Sequence, residues 1–448
     1  MERNSGRVPS GSSESISANA GRKPPVKSHI VAADRNGGGL TVRDVDDSAF
    51  LVLLWLLAAA AVLPGALDLP FLRGAVPTAS QLNSLVGRAT LAALSLFAAL
   101  TLVRVAGTRP TPVFGALASM WGLLLAVSWI VGDRDVTLVR SLLLLLVAIT
   151  LSLCKVRLPR LLWHARLILR VYLVLCVVSV LVMPEYAWSS PTGRQWLGVP
   201  QFVGVALHPN ALGPIAALAL LLELGSRGRR YLRWIFGALA LTVLVLAQSR
   251  GGWLGGVLGL SIFLLVPEGR ISARRALMII QGVIGAALVV LFVMSDVDSE
   301  DITNGRLGLW TAIIDRSAQS WLLGNGIDAF SAANRFDYGF AVWAGQGHNQ
   351  VLDTFFTGGL LGVALMLVLV VLCAVWALRT GPQRRIAVAA FAILFVDMVV
   401  ESPLRPALSA TGLMSVIVLA IISAHGERWS EVGSISKLAP SADLRREW

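Results

Sequence analysis

Charge is scarce in this chain: Asp, Glu, Lys and Arg make up 14% of its 448 residues, against 56% hydrophobic residues. Its mean hydropathy of +0.72 lies far above that of soluble domains and excludes water as the main solvent of the fold. Cysteine is scarcer still. Cys154, Cys176 and Cys373 lie in or at the ends of apolar runs with no metal-like spacing, so neither a disulfide framework nor a cysteine-held metal is supported. Large apolar residues are almost missing from residues 1–48, which are rich in Ser, Gly, Arg, Lys and Asp and cannot bury enough surface to offset their ordering entropy. That segment reads as a disordered cytoplasmic tail, since a cleaved signal peptide would carry its apolar stretch much nearer the start.

What the chain does have is length of apolar sequence. Runs long enough to cross a bilayer as helices recur at 49–67, 84–103, 111–131, 136–154, 166–183, 204–223, 232–247, 251–267, 276–294, 349–378, 386–401 and 407–424. The expected fold class is therefore all-α, a polytopic membrane protein of about twelve transmembrane helices. A transmembrane domain over 49–424 would lie between the N-terminal tail and a cytoplasmic tail at 425–448. The net charge of +12 does not form a basic groove with interleaved aromatics, so no nucleic-acid partner is expected. The basic residues fall in alternate connections: Lys155, Arg157, Arg160 and Arg166; Arg227, Arg229, Arg230 and Arg233; Arg270, Arg274 and Arg275; and Arg379, Arg384 and Arg385. Lys and Arg hold short loops in the cytoplasm. That places both termini on the cytoplasmic side of an inner membrane.

The outer connections are short except for 184–203 and 295–348. The second opens with acidic residues, and Thr303 or Asn304 can cap a helix whose apolar face is Leu307, Trp310, Ile314, Ala318 and Trp321. Gly324-Asn325-Gly326 would stop it. The expectation is an amphipathic helix lying on the bilayer or roofing a cavity between spans.

Polar groups at the ends of membrane spans are costly and are candidate functional groups. On the outer side these are His208 and Asn210 in His-Pro-Asn, Arg250 in Gln-Ser-Arg-Gly-Gly-Trp, Arg306 at the head of the amphipathic helix, and His348-Asn349 where the large loop re-enters the membrane. An arginine between two spans can fork two hydrogen bonds onto a phosphate, or it can simply anchor a helix end. Arg306 joins its charge to a first helical turn, where free N–H groups favour anions. Histidine can accept a proton near neutral pH, and general-base help is worth about 10² to 10⁴ in rate, so His348 fits a base for a hydroxyl acceptor or a local cap. His208, beside Pro209 and Asn210, reads as structural. The Asp133/Asp135 and Asp296/Asp298 pairs have the spacing of a metal-holding Asp-x-Asp, which is common by chance in outer loops, and no metal or other cofactor is expected.

His348-Asn349, nine residues, then Gly359-Leu360-Leu361-Gly362 resembles a pattern of the O-antigen ligase and polymerase superfamily of membrane glycosyltransferases. Gly305-Arg306 with Trp310, Leu322-Leu323-Gly324-Asn325-Gly326 and Phe330, the Ser249-Arg250-Gly251 turn, and His208-Pro209-Asn210 resemble further elements of that family, in its order, across residues 208–362. The resemblance implies metal-independent, inverting transfer from a polyprenyl-diphosphate-linked glycan donor to a glycan or glycolipid acceptor in envelope polysaccharide assembly. It implies diphosphate binding by Arg250 and Arg306, proton removal by His348, and supporting roles for Asn349, His208, Asn210 and Trp310. Ligation of a finished glycan and polymerisation of lipid-linked repeat units share this chemistry, with the nine-residue spacing favouring ligation. A transporter or flippase would instead carry two related halves, and no internal repeat is seen.

Overall fold

The computed structural model describes residues 42–67, 79–131, 136–189, 197–225, 228–265, 282, 306–331, 338–340, 345–379 and 383–438. Among these residues the secondary structure is helical apart from one isolated bridge, Trp188 to Phe202. The helices are α1 (Val42–Leu67), α2 (Ala79–Val105), α3 (Pro112–Val131), α4 (Val136–Leu153), α5 (Leu158–Val182), α6 (Pro209–Gly225), α7 (Arg230–Ala247), α8 (Arg250–Leu265), α9 (Arg306–Ser317), α10 (Gln350–Leu378), α11 (Arg384–Val400) and α12 (Ala410–Leu438). Single turns occupy Pro184–Ala187, Gly204–Ala206 and Ile327–Phe330.

Five stretches are by themselves long and apolar enough to cross a membrane: Arg88–Val105, Pro112–Val131, Leu158–Val182, Arg230–Ala247 and Gln350–Leu378. Shorter apolar helices accompany them. The expected span at 276–294, residues 1–41 of the expected tail at 1–48, the Asp-x-Asp pairs and the proposed caps Thr303 and Asn304 lie outside the described residues. Several boundaries differ from the sequence expectation: α1 begins at Val42, so residues 42–48 of the expected tail are helical and Asp47 is buried, α2 begins at Ala79 rather than 84, and α12 continues to Leu438, into the expected tail at 425–448. Pro159 starts α5 eight residues early, so Arg160 and Arg166 are helical rather than in a connection. Arg160 reaches Asp47 of α1 at 3.2 Å, and Arg170, one turn beyond Arg166, forms a two-pronged pair with the buried Glu223 of α6 at 2.6 and 2.8 Å.

Two features of packing position the site. The first is α8, whose glycines face helices on two sides. A Cβ on Gly251 would strike Val400 of α11, one on Gly259 would strike Ile393 of α11, and one on Gly252 would strike the backbone of Gly213 on α6. Small residues let backbones approach in a membrane, where no hydrophobic force drives helices together.

The second is a break in α10. Gly359 has φ +59° and ψ −161°, a conformation essentially reserved for glycine. The break strands backbone groups that lipid cannot satisfy. The loop after α9 fills it: Asn325 N and Gly326 N donate to Phe356 O and Thr357 O, while Leu360 N and Leu361 N donate to Trp321 O and Leu322 O. Side chains on Gly324 or Gly359 would overlap the opposing backbone. The physical content of the Leu-Leu-Gly-Asn-Gly and Gly-Leu-Leu-Gly elements is therefore one backbone-to-backbone joint.

The helix expected in the large loop is present as α9, with two corrections. It ends at Ser317, short of Gly324, and its buried face is Leu309, Ile313 and Ser317. Leu307, Ile314, Ala318 and Trp321 are exposed, because the inner face packs on the aromatic cluster of Phe330, Phe340 and Phe356.

Candidate active site

Helices α6, α8, α9 and α10 begin at one end of the bundle, and α7 and α11 end there. The connections carrying Arg229 and Arg379, with Arg233 and Arg384 in the first turns of the helices that follow, join the opposite ends of α6 to α7 and of α10 to α11. Four helix N-termini thus meet the C-terminus of α11, and each N-terminus contributes a partial positive charge.

Local sequence explains three of these starts. His208 precedes Pro209 at the first position of α6, and its Nδ1 accepts the N–H of Asn210 at 3.2 Å. Gln248 ends α7 in the left-handed region (φ +48°), its side chain bound to the backbone of Leu197 and Val199; Ser249 then caps α8 by accepting Gly252 N at 3.1 Å, leaving Arg250 as the first residue of the helix. Asn349 caps α10 by accepting the N–H groups of Val351 and Leu352. The non-glycine residues with positive φ among those described are Leu207, Gln248 and His348. Each is, or lies within two residues of, a candidate residue, and such backbone strain clusters at functional sites.

Glu401, the residue that ends α11, is the hub. Its Oε1 accepts Arg306 Nη2 at 2.7 Å and Asn210 Nδ2 at 2.9 Å. Its Oε2 accepts Gln346 Nε2 at 2.6 Å and meets His348 Nδ1 at 2.9 Å. Four donors match the four lone-pair sites of one carboxylate. The 3.3 Å separation between Gln346 Nε2 and His348 Nδ1 follows from two N–H groups sharing one oxygen. Burial alone would raise the Glu401 pKa, but the hydrogen bond from His348 and the positive charge of Arg306, with smaller contributions from His348 and His208, bring it down to about 2. An ionised Glu401 carries no proton, so His348 Nδ1 must be the donor; in the neutral ring the lone pair then sits on Nε2.

The loop bearing His348 is held along its length. Arg405 Nη1 donates to Gly345 O at 2.6 Å, Gly347 N donates to Asp353 at 2.8 Å, Trp310 Nε1 donates to Gly347 O at 2.9 Å, and Asn349 Nδ2 donates to Val399 O at 2.9 Å. Arg306 Nη1 also donates to Val400 O at 2.8 Å.

His208, Asn210, Arg306, Trp310, His348 and Asn349 are thus joined, directly or through one residue, around Glu401 and the last turn of α11. Arg250 is not hydrogen-bonded to Glu401; it is placed beside the cluster because Gly251 packs on Val400. Trp310 and Asn349 contact backbone here. Sequence reasoning did not single out Glu401, Gln346 or Arg405. The available signal for Glu401 was an acidic residue directly ending an apolar run, in Val-Val-Glu-Ser-Pro, the kind of group the cost of charge in lipid marks as functional. Among the described residues no group of three His, Cys, Asp or Glu side chains is placed to hold a metal ion.

The family model described as O-antigen ligase matches residues 235–367, under a third of the chain. The matched segment runs from α7 through the large loop to the middle of α10 and includes Arg250, Arg306, His348 and the joint at Gly359. It supports membership of the O-antigen ligase family, in agreement with the resemblance read from the sequence, and with the apolar helices it indicates a multi-pass membrane protein of ligase or polymerase type. No curated protein matches the chain.

Proposed function

We propose, for a chain of O-antigen ligase kinship, that it transfers a glycan from a polyprenyl-diphosphate carrier to an acceptor hydroxyl on the outer face of the bacterial inner membrane, without a metal and with inversion at the anomeric carbon. The observation that carries this reading is one carboxylate, Glu401, gripping both an arginine at 2.7 Å and a histidine at 2.9 Å where four helix N-termini meet. Sidedness follows from charge: the cluster lies at the helix ends opposite the Arg-rich connections, which the positive-inside rule assigns to the cytoplasm.

Each part of the site has a step to perform. The diphosphate binds where the N-termini of α8 and α9 bring free N–H groups. Arg306, two of whose five donors are engaged with Glu401 and Val400, turns others to the phosphate oxygens, and Arg250 contributes a second guanidinium. With Nδ1–H held by Glu401, His348 Nε2 takes the proton of the acceptor hydroxyl as that oxygen attacks the anomeric carbon. The bond from that carbon to the diphosphate oxygen breaks, and its electron pair stays on the diphosphate. Charge growing there meets donors that are already oriented, the arrangement that lowers barriers most. Trp310, Asn349 and Asp353 fix the loop that aims His348.

The reading is tested in host cells carrying His348→Ala at matched protein levels. Accumulation of long lipid-linked chains is expected for a ligase, whereas single lipid-linked repeat units would assign the same chemistry to a polymerase. An unaltered profile of lipid-linked glycans would remove His348 as the base.

A further inference from the structure

The two histidines of the cluster are wired in opposite senses. His348 presents Nδ1 to an ionised carboxylate and so donates from that atom. His208 does the reverse: its Nδ1 accepts the backbone N–H of Asn210 at 3.2 Å, an atom pair in which only the amide has a proton to give. A neutral imidazole accepting at Nδ1 carries its single proton on Nε2. His208 is exposed while Glu401 is buried, and its neighbour Asn210 reaches Glu401 Oε1, so the ring lies beside the site.

We propose that His208 is a fixed hydrogen-bond donor of this site, directing Nε2–H at an oxygen of the departing diphosphate. The inference rests on the glycosyl-transfer reading above. In the step, His208 gives no proton: the acceptor O–H breaks with its proton passing to His348, the new C–O bond forms, and the old C–O bond leaves its electrons on the diphosphate oxygen that His208 contacts. A donor aimed at growing charge stabilises the transition state more than the ground state.

The surrounding charges favour the neutral form this requires. The His208 pKa is lowered, first by desolvation of the charged ring and then by His348 and Arg306, with Glu401 opposing them. The His-Pro-Asn element, whose local hydrogen bond argued for a purely structural histidine, acquires a second use, because that same bond selects which nitrogen faces the substrate.

The test compares His208→Ala and His208→Gln with wild type, purified in detergent, using a polyprenyl-diphosphate-linked glycan donor and acceptor. A side-chain amide keeps an N–H near the place of Nε2. His208→Ala should lower kcat by about 10²-fold with little change in the acceptor KM, and His208→Gln should recover most of that loss. In both variants the pH dependence set by His348 should stay as in wild type. Unchanged kcat in His208→Ala, or a His208→Gln variant as slow as His208→Ala, would overturn the proposal. A second measurement does not depend on the variants folding: ¹⁵N spectra of the wild-type protein, which has five histidines, should report an Nε2–H tautomer for His208 at pH 7, and an Nδ1–H tautomer or an imidazolium would refute it. Wild-type protein without transferase activity would sink the functional reading instead; an active wild type, inactive His348→Ala and fully active His208→Ala would remove only this inference.

Discussion

Replacing Glu401 with Gln keeps the shape of the hub and removes its charge, and the structure allows the consequence to be worked through atom by atom. The carboxylate accepts two donors on each oxygen. An amide accepts on one oxygen only, and its NH₂ must face one of the two donor pairs. If the carbonyl stays with Arg306 and Asn210, the NH₂ opposes Gln346 Nε2 and His348 Nδ1–H. His348 can relieve that clash by moving its proton to Nε2, which fills the lone pair that the acceptor hydroxyl needs. General-base assistance is worth about 10² to 10⁴ in rate, or about 3 to 5 kcal/mol at 1.36 kcal/mol per tenfold, so Glu401→Gln should approach His348→Ala in its loss of kcat. If the amide turns the other way, the NH₂ faces Arg306, and donor binding weakens instead. The assay is glycan transfer by purified protein at saturating donor, with thermal stability in detergent recorded alongside to separate chemistry from folding. A folded Glu401→Gln variant with a kcat within a few-fold of wild type would refute the reasoning that Glu401 sets the tautomer of His348.

Acid should expose the same hub. The Glu401 pKa is held at about 2, below its ordinary 4.5, so its ionised network contributes stability fully above about pH 4.5 and loses it as pH falls toward 2, a span of about 3 kcal/mol; unfolding followed against pH should show this limb in wild type and lack it in Glu401→Gln. Gly359→Ala places a Cβ against the Leu322 carbonyl at a backbone conformation that costs about 1 to 3 kcal/mol for other residues, and should free the 321–326 loop to limited proteolysis while abolishing transfer. Arg306→Lys retains charge but cannot hold Glu401 and Val400 while also forking onto phosphate; transfer should fall by about 10²-fold or more, measured as kcat/KM for the donor.

Much of the helical frame was legible because apolar length is a local property. Runs such as Leu158–Val182 and Gln350–Leu378 declare themselves without reference to the rest of the chain. The break inside α10 was not legible in the same way. Gly359 sits in a run that reads as one uninterrupted span, and only the docking of Asn325 and Gly326 onto Phe356 and Thr357 explains why the chain tolerates it. The register of α9 was misjudged for a related reason: apolar residues occur on both of its sides, and which side is buried depends on where the Phe330 cluster lies. Candidate residues were found where the sequence marks polarity at a span end, as with Arg250 and His348. Glu401 escaped because it reads as the last residue of an unremarkable span, and its weight comes from four donors arriving from segments 53 to 191 residues away in sequence. The tautomer of His208 likewise depends on a single short-range hydrogen bond that composition cannot display.

The central claim is that this site breaks the bond between a glycan and a polyprenyl diphosphate using its own side chains. The most direct measurement supplies purified protein with lipid-linked donor and acceptor glycan in the presence of a chelator, and quantifies polyprenyl diphosphate released against glycan transferred. Equal amounts of both, abolished by His348→Ala, are predicted; movement of intact lipid-linked glycan under a cation gradient, with no bond cleaved, would contradict the account.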